Sequence, residues 1–222
     1  DSDGYASATY SRWETWNLEA ASNLALGENT TLRLAGNRQF SDDAWQTSLV
    51  DNKPWGEKDV WNARSWLLFD PSEDTRVQWK IYGGENNSEL NLGRAIGLYS
   101  ANVPDKCAPV LAGVRDDNAC YTLAGFVALD AGQNPVMPSV QQRDGSTSLS
   151  EPFNVLDNDY AGSTLIVDHD FNNLRLTSVT NTETFTYGAN FHFDGTPLEF
   201  GHNLSESDID VWSQELRLTS TS

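Results

Sequence analysis

The chain has 222 residues, of which 14 are lysine or arginine and 32 are aspartate or glutamate, and its formal net charge at pH 7 is −18. This balance excludes a nucleic-acid-binding function, because a phosphate backbone is held by clustered basic residues and would be repelled here. The longest apolar run, at residues 123–129, is far shorter than the roughly 20 residues that a transmembrane helix needs.

Eight segments show an alternation of apolar and polar residues rather than a helical period, which predicts strands with two different faces. In the second segment Trp16 and Leu18 would share one face, and Asn17 and Glu19 the other. In chain order, the predicted strands cover residues 4–12, 16–25, 30–40, 60–70, 75–84, 159–168, 173–185 and 209–220.

Three of the connections between these strands are long loops, at residues 41–59, 85–158 and 186–210. Because successive antiparallel strands reverse direction, all three loops fall at the same end of an up-and-down sheet. They carry 19 acidic and 6 basic residues, so most of the negative charge lies outside the strands. Transmembrane β-barrels show this asymmetry, with short periplasmic turns and long extracellular loops.

Several segments, in order and at suitable spacing, resemble TonB-dependent outer-membrane receptors in the stretch that follows the family's plug domain. Residues 4–10 running into 16–21 look like the first barrel hairpin, and residues 32–38 look like the third strand. Residues 62–74 resemble the next descending strand with its periplasmic turn, and the match is closest at residues 212–220.

The resemblance implies an all-β fold, namely an antiparallel up-and-down transmembrane β-barrel of which this chain holds about eight of 22 strands, with long extracellular loops. Residues 1–222 would be the N-terminal part of the receptor barrel, without the plug and the remaining strands. Residues 85–158 would form a long extracellular loop. The expected location is the bacterial outer membrane.

The function implied by the resemblance is import of a scarce nutrient, such as an iron–siderophore complex, without enzymatic activity and without a cofactor. The expected partners are a small-molecule ligand such as a ferric chelate, the TonB complex acting through the plug region, and outer-membrane lipid. The alternative is a secreted calcium-dependent β-sandwich that binds carbohydrate or mediates adhesion. It is suggested by the oxygen-rich residues 154–159 and by glycosylation acceptor patterns at residues 29–31, 86–88 and 203–205.

The chain has two cysteines, Cys107 and Cys120, and both lie in the longest predicted loop. Two cysteines in the same loop, with no other cysteine in the chain, predict a disulfide between them, formed in an oxidising compartment. In the chain-entropy model, closing so short a loop stabilises the protein by roughly 3 kcal/mol.

Two sets of residues are candidates for contact with a ligand. Lumen-facing strand positions with positive charge are Arg64, Arg76 and Lys80. Aromatic residues in the long loops that could stack on a ligand are Trp45, Trp55 and Tyr99. The competing interpretation of the aromatic residues is an interfacial girdle, which fits Trp61 particularly well.

Chemistry by a metal or a nucleophile finds little support in the sequence. Of the three histidines, His169, His192 and His202, only the last two share a predicted loop, and their spacing fits no standard zinc pattern. No nucleophile elbow is present. The sequence therefore assigns neither a metal nor a catalytic residue.

Overall fold

The computed structural model describes residues 3–48, 51–93, 100, 105–114, 120, 147–148, 154–192 and 202–220. Strands dominate this part of the chain. The only helix among the described residues, α1 (Ala108–Leu111), has four residues. No helix in these ranges has the length and hydrophobicity needed to cross a membrane.

Eight strands form one sheet in which each strand pairs with the next long strand along the chain. All seven pairings are antiparallel, so the sheet is an up-and-down meander, as predicted. In sheet order the strands are β1 (Asp3–Ser11), β2 (Thr15–Gly27), β3 (Thr30–Ser41), β6 (Asp59–Ser72), β7 (Thr75–Asn86), β9 (Val155–Phe171), β10 (Leu174–His192) and β11 (His202–Ser220).

A second, three-stranded sheet lies within the long connections and was not predicted. It consists of β4 (Gln46–Ser48), β5 (Pro54–Trp55) and β8 (Thr147–Ser148), with β4 in the middle. The sequence gives no alternation long enough to reveal strands of two or three residues. Because β4 and β8 come from different connections, this sheet ties the two loops together.

The last three long strands extend further than predicted, so the loop predicted at residues 186–210 is wrong for residues 186–192 and 202–210, while residues 193–201 lie outside the described residues. The β10–β11 ladder continues through Tyr187 and Ser207 up to the pair His192 and His202. Acidic residues at 206, 208 and 210 favour a loop by composition, yet they lie within β11. A 19-residue strand is about 60 Å long and is nearly twice the length that crosses a bilayer, so its upper part can be polar on both faces.

Register partners share a face, and this separates the eight-stranded sheet into two unlike surfaces. The surface that we call the polar face includes the row Tyr5, Ala21, Ala35, Arg64, Tyr82, Gly162 and Glu183. The opposite surface, the apolar face, carries large hydrophobic side chains that are 38–69% exposed: Leu18, Leu34, Phe69, Trp79, Ile81, Leu165, Leu216 and Leu218.

The apolar face ends in a row of polar and charged residues. Trp61 pairs with Arg38 on one side and with Glu85 on the other, and Glu85 pairs with Asp159. The Trp61 indole N–H donates to the Glu85 carboxylate at 3.0 Å. From Trp61 to Phe69 is about 27 Å along the strand at 3.4 Å per residue, which suits the apolar band of a transmembrane barrel.

The sheet has no second layer among the described residues. The buried hydrophobic residues of the described ranges are Ala21, Leu92, Cys107, Cys120 and Ala189. Three of these five lie outside the long strands. A β-sandwich would instead bury the facing sides of two sheets in a common core. The architecture is therefore the predicted partial barrel rather than the alternative sandwich.

Candidate functional site

The centre of the polar face is organised by a tyrosine that lies flat across a glycine. Tyr82 on β7 pairs in register with Gly162 on β9, and Gly162 pairs with Glu183 on β10. The Tyr82 hydroxyl passes over Gly162 and donates to the Glu183 carboxylate. A Cβ at position 162 would overlap the Tyr82 ring, so the bridge across three strands requires glycine there.

Two cations and a second tyrosine surround this bridge. The Lys80 ammonium lies 4.6 Å from the centroid of the Tyr82 ring, within cation–π range. The rings of Tyr82 and Tyr160 are 6.3 Å apart. Arg64 is the direct register partner of Tyr82 on the other side.

These residues border a polar cavity of about 420 Å³ on the polar face. Its lining, which we call the polar-face cluster, includes Tyr5, Glu19, Asn37, Asn62, Arg64, Lys80, Tyr82 and Tyr160. The Tyr5 hydroxyl donates to the Glu19 carboxylate, whereas neither Arg64 nor Lys80 forms an ion pair within the described part of the chain. The cluster can therefore offer two positive charges to an anionic group.

One acceptor in the polar-face cluster lacks a donor. The side-chain oxygen of Asn37 is buried and has no hydrogen-bond partner among the described residues. Leaving a buried acceptor unsatisfied costs about 1–3 kcal/mol. A group that enters the cavity with a donor would recover this energy.

Arg76, the third predicted lumen-facing cation, shares the polar face but lies apart from the cluster. It is four residues before Lys80 on β7, about 13 Å along the strand, and forms a two-bond pair with Asp70 at 2.9 and 3.1 Å. Arg175 and Asp170 make the same pair on the next hairpin, at 2.6 and 2.7 Å. Each of these ion pairs joins the two strands on either side of a short turn.

Two of the three predicted aromatic candidates, Trp45 and Trp55, form hydrogen bonds that connect two loops. The Trp45 indole N–H donates to the Asn91 side-chain oxygen at 3.0 Å, and that of Trp55 donates to the Leu90 carbonyl at 2.8 Å. Both bonds join the β3–β6 connection to the segment after β7. Trp45 remains 38% exposed, so part of its ring is open to solvent. Tyr99 lies outside the described residues.

Glu89 anchors the same connection through its carboxylate. One oxygen of that carboxylate accepts from the backbone N–H groups of Gly56 and Glu57, at 2.8 and 3.0 Å. Burial raises the pKa of Glu57, and the negative charges of Glu89, Asp42 and Asp43 raise it further. The loop therefore contains a carboxyl group whose ionisation its surroundings oppose.

The predicted disulfide between Cys107 and Cys120 is present, with their Cα atoms 5.5 Å apart. Cys107 also lies directly before α1, and the N–H of Leu111 donates to its carbonyl at 3.1 Å. The bond thus fixes the start of the short helix within the β7–β9 connection.

Sequence reasoning found Arg64 and Lys80 but missed the tyrosines and Glu183. The available signal was the spacing of Lys80, Tyr82 and Gly84, which share a face of a predicted strand. Gly162 and Glu183 come from strands that are distant in sequence. Their place beside Tyr82 depends on register, which the sequence does not fix.

No known family model matches the sequence, and no curated protein shows significant similarity to it. Two solved structures share its fold. The FpvAI chain of the FpvAI–pyocin S2 complex is 12% identical, with a TM-score of 0.58 over 97% of this chain and 24% of that chain. The ferric-catecholate import receptor Fiu from E. coli K12, in its open form, is 14% identical, with a TM-score of 0.58 over 99% of this chain and 31% of that chain.

The chain has the fold of part of a TonB-dependent receptor barrel. It spans 24% and 31% of the two receptor chains that it matches. Within this receptor-barrel fold, strands that enclose a lumen turn polar side chains inward and apolar side chains toward lipid.

Proposed function

We propose that this chain is the first part of the barrel of a TonB-dependent outer-membrane receptor that imports a scarce nutrient, such as an iron–siderophore complex. The observation that carries the proposal is the single up-and-down sheet, apolar on one face and polar on the other, which superposes on receptor barrels over almost its whole length. A bilayer against the apolar face would bury side chains that are now exposed, at about 25 cal/mol per Å².

In this proposal residues 1–222 supply strands one to eight, and the β7–β9 connection is an extracellular loop. Both outer strands, β1 and β11, pair on one side only within the described structure. Further strands of the same barrel would pair with these two edges. The family's plug would fill the lumen against the polar face and would connect the receptor to the TonB complex.

The ligand would be a small metal chelate whose negatively charged groups bind at the polar-face cluster. Arg64 and Lys80 supply positive charge there, and the Asn37 oxygen accepts a hydrogen bond. Such a receptor makes and breaks no covalent bond. Its work is a difference in affinity between a closed state and a permissive state, so neither a catalytic residue nor a cofactor is required.

The test of membrane placement uses two neighbouring tryptophans on opposite faces. Trp79 lies on the apolar face, where its indole donates to Ser163, while Trp66 is the register partner of Lys80 on the polar face. In vesicles that contain brominated lipid, we expect Trp79→Phe to remove a clear share of the bromine-quenched fluorescence. Trp66→Phe, the matched control, should remove little of it.

Two results would overturn the proposal. One is equal loss of quenching in both variants. The other is a chain that stays monomeric in water without detergent and melts at a higher temperature in millimolar calcium, as the secreted sandwich alternative would.

A further inference from the structure

The end of the large sheet that carries the long connections has a small core of its own, and this core is polar. Within the described residues, every buried polar side chain lies at this end, and each is at most 6% exposed: Ser41, Gln46, Ser48, Ser88, Asn154 and His192. Side chains of this kind are buried at low cost only when they are hydrogen-bonded. Their partners therefore show which segments depend on one another.

Residues 87–92, which follow β7 and which we call the strap, are bound on one side to the β3–β6 connection. The Gln46 side-chain oxygen accepts from the Leu92 N–H at 2.7 Å, and the Gln46 amide nitrogen donates to the Leu92 carbonyl at 3.3 Å. Further back along the strap, the Glu89 N–H donates to the Glu57 carbonyl at 2.9 Å. Both ends of the β3–β6 connection are thus joined to the strap.

On its other side the strap is bound to the start of β9 and the end of β10. The Leu90 N–H donates to the Asn154 carbonyl at 2.6 Å. The Asn154 amide nitrogen donates to the carbonyls of Asn91 and His192, at 3.1 and 3.3 Å. The Asn154 side-chain oxygen accepts from the His192 N–H at 2.6 Å. One buried amide therefore connects the strap to β10.

We propose that the strap makes the β3–β6 connection, the start of the β7–β9 connection and the upper end of the β9–β10 ladder one cooperative unit, which opens all at once rather than loop by loop. Gln46 and Asn154 each bind both the N–H and the carbonyl of one buried residue, Leu92 and His192 respectively. Opening one contact alone would break bonds to buried backbone groups while water stays excluded. Opening the whole unit lets water replace those bonds.

A cooperative unit of this kind is a two-state conformational device. A ligand that binds one state more tightly than the other would move both long connections together, because neither can open without the strap. The inference does not rest on the proposed function, since it concerns only hydrogen bonds within the chain.

The test is amide hydrogen exchange of the 222-residue chain in detergent, read residue by residue at increasing denaturant concentration. The amides of Glu57, Leu90 and His192 report on the three parts of the unit. We expect all three to share one opening free energy and one dependence on denaturant, because a single opening exposes them. The amide of Leu165, in the middle of the sheet, is the reference and should need a larger opening free energy. Different values among the three amides, or values equal to the reference, would overturn the proposal.

The variant Gln46→Ala gives a second readout at a distance. We expect the His192 amide to exchange about tenfold faster or more, although His192 ends a different strand, β10. Gln78→Ala, which changes the same residue type on the polar face of β7, is the matched control and should leave exchange at His192 unchanged. The proposal fails if Gln46→Ala accelerates exchange only at the strap, or if Gln78→Ala accelerates exchange at His192 equally.

Discussion

At the scale of single residues, Gly162 is the position where a minimal change should have a large effect. A methyl group there would overlap the Tyr82 ring and displace it from Glu183. Overpacking of this kind costs about 1–3 kcal/mol. We therefore expect Gly162→Ala to lower the thermal unfolding temperature of the chain in detergent.

Gly27→Ala is the matched control for that measurement, because a Cβ at Gly27 meets nothing within 4 Å. If both alanine variants unfold at the same temperature, Tyr82 does not depend on Gly162 for its position.

The cations of the polar-face cluster allow a second prediction, which rests on the proposed function. In the intact receptor, the double change Arg64→Ala and Lys80→Ala should lower the transport rate of the iron–siderophore complex about tenfold or more, because each charged contact contributes about 1.5–3 kcal/mol. Uptake of radioactive iron measures the rate.

Arg76→Ala controls for the loss of positive charge, since Arg76 is paired with Asp70 away from the cluster. Unchanged uptake in the double variant, or an equal loss in Arg76→Ala, would contradict the role given to Arg64 and Lys80.

How far the sequence predicts the site depends on whether a residue's role is local. Alternation along β7 is enough to place Arg76 and Lys80 on a common face, and alternation along β6 places Arg64 on the polar face of that strand. It does not show that Asp70 neutralises Arg76, nor that Glu183 meets Tyr82 across an intervening strand. Those relations follow from register and turn geometry, which involve residues far apart in the chain.

At the scale of elements, the β3–β6 connection should respond to pH through Glu57. The pKa of this carboxyl is above its ordinary value of 4.5, first because of burial and then because of the neighbouring carboxylates. A raised pKa in the folded state means that ionisation weakens the loop. The loop is therefore most stable below about pH 4.5 and becomes less stable as the pH rises through the raised value.

Glu57→Gln removes that ionisation and should slow hydrogen exchange at residues 53–58 at pH 7. At pH 4 the variant and the parent should exchange alike, because Glu57 is then mostly protonated in both states. Glu28→Gln, in the exposed β2–β3 turn, is the control. Faster exchange in Glu57→Gln at pH 7 would show that the charged form supports the loop.

All eight long strands were predictable, while the loop-side limits of β9, β10 and β11 and the small loop sheet were not. In the proposed barrel, residues of the apolar band must alternate because lipid and lumen impose opposite requirements. Above the Trp61 row that constraint ends, so Glu206 and Asp208 can belong to a strand without any apolar partner pattern. Where neither face needs to be apolar, composition no longer separates a strand from a loop.

At the scale of the whole molecule, the unusual feature of the described residues is a large sheet with almost no core. Hydrophobic side chains such as Trp79 and Leu216 are exposed on the apolar face, and a water-soluble domain would bury them against a second layer. The alternation in the sequence is compatible with both arrangements, because eight such strands can form one sheet or the two packed sheets of a sandwich. The surrounding solvent, more than internal packing, decides which arrangement is stable.

The neighbour-to-neighbour strand order also has a consequence for how the sheet assembles. Most neighbouring strands can pair starting from the connection between them, but β7 and β9 are separated by about 70 residues. The entropic cost of closing such a connection grows only with the logarithm of its length. The Cys107–Cys120 bond shortens this connection by about a fifth, which lowers the free-energy cost of closing it by only about 0.2 kcal/mol. The eight long strands should therefore pair in the same order whether the two thiols are oxidised or reduced. The redox state would affect only the β7–β9 connection, which contains both cysteines.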